Sequence, residues 1–329
     1  MNRSIRIVGF QYGEPSACVR MEEIRLPALS AHQVMVNMEY TPVNPADLLR
    51  LRGEALHAPL PFVCGGEGVG RVSSVGSAVK RCAPGDRVIL PFGNTWATQV
   101  LCREDQAFKV DDNIAVEQVS MIGINYLSAM LLAEEGEVQP DDWVVLNAAN
   151  SAVARLIIQV LASKGIRTLC LVRRENARAD VLEAGATEVV VQGTAPSDTF
   201  TMARKNGRVT LGLDAIAGTA SAEMIELLSD KSTLVIYGLL SGRNIELPTA
   251  RLVFGNTLVK GFSRMRSLMA LPFDKVNHYL DFISENIRSG RWQVEIEKIY
   301  PFGQVAQALE HTEKDARGGK ILLHWQESL

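Results

Sequence analysis

The stretch Leu146-Asn-Ala-Ala-Asn-Ser-Ala-Val-Ala154 stands where an apolar strand runs into a helix, the place where a nucleotide-binding protein usually keeps its glycines. It contains none. Trp143 to Leu146 is a short apolar run, and Val153, Leu156, Ile157, Val160 and Leu161 recur at helical spacing, predicting one buried stripe. Gly165 follows where a helix would end in left-handed backbone. A helix N-terminus binds anions through its unpaired backbone N–H groups and the positive end of its dipole, a capacity of the backbone rather than of glycine. Glycine adds closeness only. Here the turn carries the small Ala152 and Ala154 with Asn150 and Ser151 before them, and Ser151 is placed to cap the helix or bond a phosphate.

From Asp142 the chain alternates strand and helix, which calls for a parallel sheet with right-handed crossovers. The strands are WVVLNA, TLCLVR, TEVVV, RVTLGLD, STLVIYG and TLVKGF, enough for a doubly wound sheet of six. Such a sheet puts its ribose-reading residue at the end of the second strand, commonly an acid where NAD is preferred. Arg173 and Arg174 stand there instead. Two guanidiniums suit a 2′-phosphate, so NADPH is expected over NADH; the plain alternative is a solvated basic turn. TLVKGF, the last strand, would lie at the sheet edge, where an unpaired ladder invites a second subunit.

Ile5 to about Val110 reads as short alternating strands with turns between them, including QVMVNMEY, GVGRVSSVGSAV and, after the turn at Pro84 to Asp86, RVIL. That pattern is barrel-like. A helical stretch, VEQVSMIGINYLSAMLLAEEG, follows. The tail has a helix around Phe273 to Arg288, the strand VEIEKIY, a helix around Gln304 to Thr312 and a closing strand GKILLHW. Too few strands remain for a third domain, so the tail is expected to return to the barrel. The expected domains are 1–118 completed by 291–329, and 119–290.

With 34 Lys and Arg against 37 Asp and Glu and no block of like charges, the chain has no electrostatic footprint for nucleic acid or an anionic membrane. A small-molecule ligand is expected. No apolar run reaches membrane-spanning length and the first fifteen residues lack a signal-peptide pattern, so a cytoplasmic protein is expected. The five cysteines lie far apart with no CxxC pair, which suggests neither a zinc lobe nor a disulfide framework.

Read in order, YTPVNPADLLRLRG, PLPFVCGGEGVGRVSSVGSAV, PGDRVILP, GNTWATQV, the LNAANSAVARLIIQV stretch, EAGATEVV, VIYGLL and GGKILL resemble the zinc-independent medium-chain dehydrogenase/reductases over nearly the whole chain. The likeness is greatest to the mitochondrial-type 2-enoyl thioester reductases and to quinone oxidoreductases. It implies an α/β fold: a GroES-like β-barrel catalytic domain plus a Rossmann, doubly wound, parallel six-stranded sheet. It also makes NAANSA a family variant of the nucleotide loop. By the same resemblance, Asn44 touches the nicotinamide carboxamide or ribose and Ser128 lies near the ring. Asn150, Ser151, Ala152 and Val153 hold the pyrophosphate; Tyr237, Gly238, Phe262, Ser263 and Lys320 complete the NADPH contacts. A homodimer with a sheet continuous across its two-fold axis is implied too.

Zinc-dependent relatives carry Cys and His ligands where this chain reads NPAD, Asn44 to Asp47, and GGE, Gly65 to Glu67. No metal is expected. Without that Lewis acid, reduction of an activated C=C bond fits better than alcohol oxidation: hydride to the β-carbon of a 2-enoyl thioester, then a proton to the α-carbon. The resemblance implies a tyrosine as proton donor after the NPAD stretch, but Glu54, Ala55 and Leu56 occupy that place. His57, close by, is the replacement acid, with Asn44 and Tyr126 as the other catalytic candidates and Tyr40 and Trp96 behind them. Two alternatives stay open: an NADPH:quinone or enone reductase, and an NADPH-binding protein with altered catalysis. A carrier-protein thioester would need a basic patch, for which Arg50, Arg52, Arg264 and Arg266 are available.

Overall fold

Trp143–Leu146 is buried along its whole length and Val209–Asp214 almost so, as strands of a parallel sheet covered by helices must be. They lie at the centre of six parallel strands in the computed structural model, which describes residues 3–54, 58–314 and 318–325. The strand order across this sheet is Glu188–Val191, Arg167–Val172, Trp143–Leu146, Val209–Asp214, Thr233–Ile236 and Leu258–Gly261. In chain order that is 3-2-1-4-5-6, the doubly wound arrangement expected from the sequence. Leu258–Gly261 forms one edge, as anticipated. The sheet belongs to a compact unit of residues 127–271.

Helix Ala152–Ser163 follows the first strand. Its buried side is wider than the expected stripe: Leu156, Ile157, Val160 and Leu161 are buried, Ala154 and Ile158 join them, and Val153 is only half-buried. The core beneath the sheet includes Trp143 and Phe200, edge to face with centroids 5.3 Å apart.

The other unit comprises 1–126 and 272–329. Its organising strand is Gln33–Pro42, which pairs antiparallel with Gly68–Val75, with Gln99–Arg103 and with the C-terminal strand Lys320–His324. The tail therefore does return to the barrel. Close strand approach requires one glycine in particular: a Cβ on Gly70 would lie 2.2 Å from the Asn37 carbonyl oxygen. Pairing of Leu322 with Pro42 sets Lys320 beside the segment that follows Pro42, where helix Pro45–Arg52 begins. That helix packs Leu48 and Leu51 onto Ile7, Phe62, Trp96 and Leu309.

The long helical stretch after Val110 is broken. Val116–Val119 and Leu127–Leu132 are α-helical, but between them Tyr126 N reaches back five residues to Met121 O, at 3.4 Å, in a π-turn. Among the described residues no helix is long and apolar enough to cross a membrane.

Because Ile157 is fully buried, Ile157→Ala should remove about 2–5 kcal/mol of stability. A clear fall in the urea midpoint, with the same final unfolded signal, is the expected result.

Candidate active site

Each unit carries one group of polar residues at a place the sequence singled out. In the 127–271 unit the nucleotide loop answers the missing-glycine question through its backbone. Ala148 adopts φ +45°, a left-handed conformation glycine would take freely and alanine takes at about 1–2 kcal/mol. Ser151 N then donates to Ala148 O at 2.9 Å, and Ser151 Oγ accepts from Ala154 N at 3.4 Å, capping helix Ala152–Ser163. The turn thus keeps the glycine geometry without glycine. Asn150 is exposed at its tip, with Ala152 and Val153 half-buried in the first helical turn.

The loop is braced by two residues the sequence reading passed over. Asn147 Nδ2 donates to Asp214 Oδ1 at 2.6 Å, and the Ala215 N–H donates back to Asn147 Oδ1 at 2.8 Å. Asp214 Oδ1 also accepts from Ile216 N and Ala217 N, and Oδ2 from Ser221 Oγ. This fully buried carboxylate locks together the carboxyl ends of the two central strands. A signal was present: Asp214 ends an otherwise apolar strand, at the end where such sheets bind ligands.

Arg173 and Arg174 are exposed at the end of Arg167–Val172, as expected. The first acid after them, Glu175, lies 3.9 Å from Arg178. Tyr237 Oη is buried without a hydrogen-bond partner among the described residues, and burial together with the Asp214 charge pushes its pKa up. Gly238 has a packing reason of its own, since a Cβ there would lie 2.3 Å from Ala215 O. Phe262 is half-buried and its N–H donates to Ile236 O; Ser263 caps a short helix; Ser128 is buried on Leu127–Leu132. An anion-binding helix end, a basic pair at the second strand and an unsatisfied phenol fit a phosphorylated dinucleotide.

In the other unit, Asn44 is the hub. It begins helix Pro45–Arg52 and is buried, with its N–H donating to Asp47 Oδ2 at 2.9 Å. Its Nδ2 donates to Glu67 Oε1 at 2.9 Å, and its Oδ1 accepts from Lys320 Nζ. Lys320 itself is buried on the C-terminal strand. Asn125, on the π-turn, donates from Nδ2 to Glu67 Oε1 at 2.9 Å and to Asn44 Oδ1 at 3.2 Å. The structure brings Asn44 and Lys320 together and adds Asp47 and Glu67, which the sequence showed only as NPAD and GGE stretches without metal ligands, and Asn125, which lay unremarked in the helical stretch. Among the described residues no three His, Cys, Asp or Glu side chains converge as a metal set.

Tyr126 is buried, and its hydroxyl donates to Gln118 Oε1 at 2.7 Å. Gln118 in turn holds the Val294 backbone, so this phenol braces the C-terminal segment, and burial pushes its pKa up. Trp96 is a core residue and Tyr40 stacks on His324 with centroids 4.4 Å apart. Ala55, Leu56 and His57 lie outside the described residues.

Burial raises the Asp47 carboxyl to about 6, against the lowering effects of the Asn44 N–H, Lys320 and Arg50. A folded-state pKa above the unfolded one means that the folded state binds the proton more tightly. Its stabilising contribution is complete below about pH 4 and is lost as pH rises through about 6. Asp47→Asn should therefore flatten this dependence: relative to the variant, the parent should gain stability between pH 7 and pH 4.5, read as urea midpoints at the two pH values.

Two family models match the chain, the alcohol dehydrogenase GroES-like domain over residues 30–143 and the zinc-binding dehydrogenase over 184–323. The mitochondrial enoyl-[acyl-carrier-protein] reductase of Dictyostelium discoideum is 30% identical over 99% of this chain and 95% of its own length. The Arabidopsis thaliana protein of the same name is 29% identical over 92% of this chain and 83% of its own. Among solved structures, a mutant form of enoyl thioester reductase from Candida tropicalis superposes with TM-score 0.85 at 22% identity, covering 99% of this chain and 100% of that one. Escherichia coli quinone oxidoreductase complexed with NADPH gives 0.86 at 22%, covering 97% and 99%. These two likenesses bear on the fold; the Dictyostelium relative carries the kinship. With barrel, doubly wound sheet and glycine-free loop in their expected places, the chain belongs to the medium-chain dehydrogenase/reductase superfamily of oxidoreductases, alongside the mitochondrial enoyl-acyl-carrier-protein reductases.

Proposed function

We propose that the protein is an NADPH-dependent reductase of an activated C=C bond, acting on a 2-enoyl thioester carried by CoA or by an acyl-carrier protein. The observation that carries this reading is the full-length kinship to an enoyl-[acyl-carrier-protein] reductase. The unit of residues 127–271 binds the dinucleotide and the other unit serves the reacting end of the substrate. Ser151 and the first amides of its helix hold the pyrophosphate, with Asn150, Ala152 and Val153 shaping the turn. Arg173 and Arg174 meet the 2′-phosphate. Tyr237, Gly238, Phe262, Ser263 and Ser128 serve the nicotinamide end.

NADPH, when bound, supplies a hydride for the β-carbon. Asn44 orients the nicotinamide half through its amide, and Lys320 brings a buried positive charge to that amide. In a dry site such a charge favours the enolate that forms as the β-carbon is reduced. The α-carbon takes its proton from His57 in place of the expected tyrosine. Tyr126 is left a structural role by its bond to Gln118. A quinone or enone acceptor is the second reading, favoured by the absence of a tyrosine at Glu54 to Leu56.

The free cysteines suit a reducing compartment, the cytoplasm in this reading. A homodimer through the edge strand is supported by apolar groups exposed on and near it: Leu258, Val253, Phe254 and Met269, the third 85% accessible. Carrier-protein docking would draw on Arg266, exposed on helix Arg264–Met269, more than on Arg52, which pairs with Glu313, or Arg50, which lies over the Phe62 ring at 4.2 Å.

NADPH oxidation should be rapid with a short enoyl-CoA and much slower with a quinone or with NADH. Replacing Arg173 and Arg174 by Ala should raise KM for NADPH at least tenfold and leave NADH use unchanged, the sign of a lost phosphate contact. His57→Ala should lower enoyl turnover about a hundredfold or more. Quinone turnover with no enoyl turnover would replace the first reading by the second; tight NADPH binding with neither would leave a binding protein. Sedimentation at micromolar concentration should give a dimer, and a monomer there would remove that claim.

A further inference from the structure

Glu67 has no exposed surface, yet donors from three places converge on its carboxylate. Asn44 Nδ2 and Asn125 Nδ2 each lie 2.9 Å from Oε1, and the Ile124 backbone N–H lies 2.5 Å from Oε2. A side-chain amide beside a carboxylate has one workable orientation, because its oxygen would otherwise face another oxygen. With Nδ2 turned to Glu67, Asn44 Oδ1 must face the other way. There it meets two donors, Lys320 Nζ and Asn125 Nδ2.

The π-turn belongs to the same arrangement. It carries both Ile124 N and Asn125 to the carboxylate, and small residues clear the space for it. A Cβ on Gly123 would lie 3.0 Å from Pro91 and 3.2 Å from Glu67 Cβ; one on Gly66 would lie 2.8 Å from Ile124 Cδ1. A backbone turn, a neighbouring amide and a lysine therefore all depend on which way one buried carboxylate points its oxygens.

We propose that Glu67 is a positioning residue of the reductase, which acts through Asn44 by fixing which face of that amide is presented to the nicotinamide half of the cofactor. It touches neither cofactor nor substrate. The inference rests on the role given to Asn44 above. Glu67→Gln is nearly isosteric but replaces one acceptor oxygen by a donor nitrogen. If that nitrogen faces the two amides, Asn44 has to turn over and point its own N–H at Lys320; if it faces Ile124, two donors meet and the π-turn loosens.

The test is a double-mutant cycle read by NADPH fluorescence titration on the full chain, with KM and kcat measured in parallel. Glu67→Gln alone should raise the Kd and KM for NADPH about tenfold, with a smaller change in kcat. In an Asn44→Ala background the same substitution should change the Kd by less than about twofold, since the group it acts through is gone. A full tenfold loss in both backgrounds would overturn the positioning role while leaving Asn44 as a cofactor contact. If Asn44→Ala alone leaves NADPH binding and turnover intact, the role assigned to Asn44 falls and the inference falls with it. Should Glu67→Gln fail to fold by near-UV circular dichroism, Asn125→Ala replaces it in the cycle. That variant keeps the carboxylate, should raise the Kd about threefold, and should likewise lose its effect in the Asn44→Ala background; equal effects in both backgrounds overturn the proposal.

Discussion

A carboxylate removed from water has to find donors inside the protein or give up its charge, and the fold around Glu67 answers that demand. Two asparagine amides and a backbone N–H converge on it. These contacts tie together the helix start at Asn44, the π-turn at Ile122 to Tyr126 and, through Asn44, Lys320 on the closing strand. Each belongs to a different stretch of chain.

The unit of residues 127–271 solves a parallel problem with Asp214. Its carboxylate is equally buried, but it accepts from backbone N–H groups, a serine hydroxyl and Asn147, and so ties two strand ends. The stiffness gained there offsets a local weakness. Alanine at φ +45° is strained, and a loop held only by its own hydrogen bonds would relax. Bound to Asp214 through Asn147, the loop keeps the shape of a glycine turn.

Both carboxylates have their oxygens engaged by donors of their own unit. A deeply buried acid marks a candidate functional site, and here each acid's contacts hold neighbouring polar groups in place. Asp47 shows the limit of the principle: with the Asn44 and Gly66 N–H groups bonded to it and Lys320 and Arg50 nearby, its carboxyl still rises to about 6, because desolvation outweighs those four contributions.

Much was legible in the sequence because it is written in local pattern. The six strands, the helix after Leu146, Ser151 as its cap and the return of the tail to the barrel follow from periodicity, cap chemistry and the number of strands left over. Arg173 and Arg174 were legible because strand order assigns them a place. The partners of Asn44 were not. Glu67 and Asn125 lie 23 and 81 residues along the chain from it and Lys320 lies 276 away, and no period links them. The π-turn inside the helical stretch was not legible for the same reason, since donors within it answer a carboxylate in the distant loop before Gly68–Val75. By itself the sequence determined which segments become strands and helices and in what order they stack, because those depend on neighbours a few residues apart. Which polar groups meet, and which way an amide faces, only the tertiary structure decided, because a buried charge is satisfied by whatever donors the whole fold brings within about 3 Å.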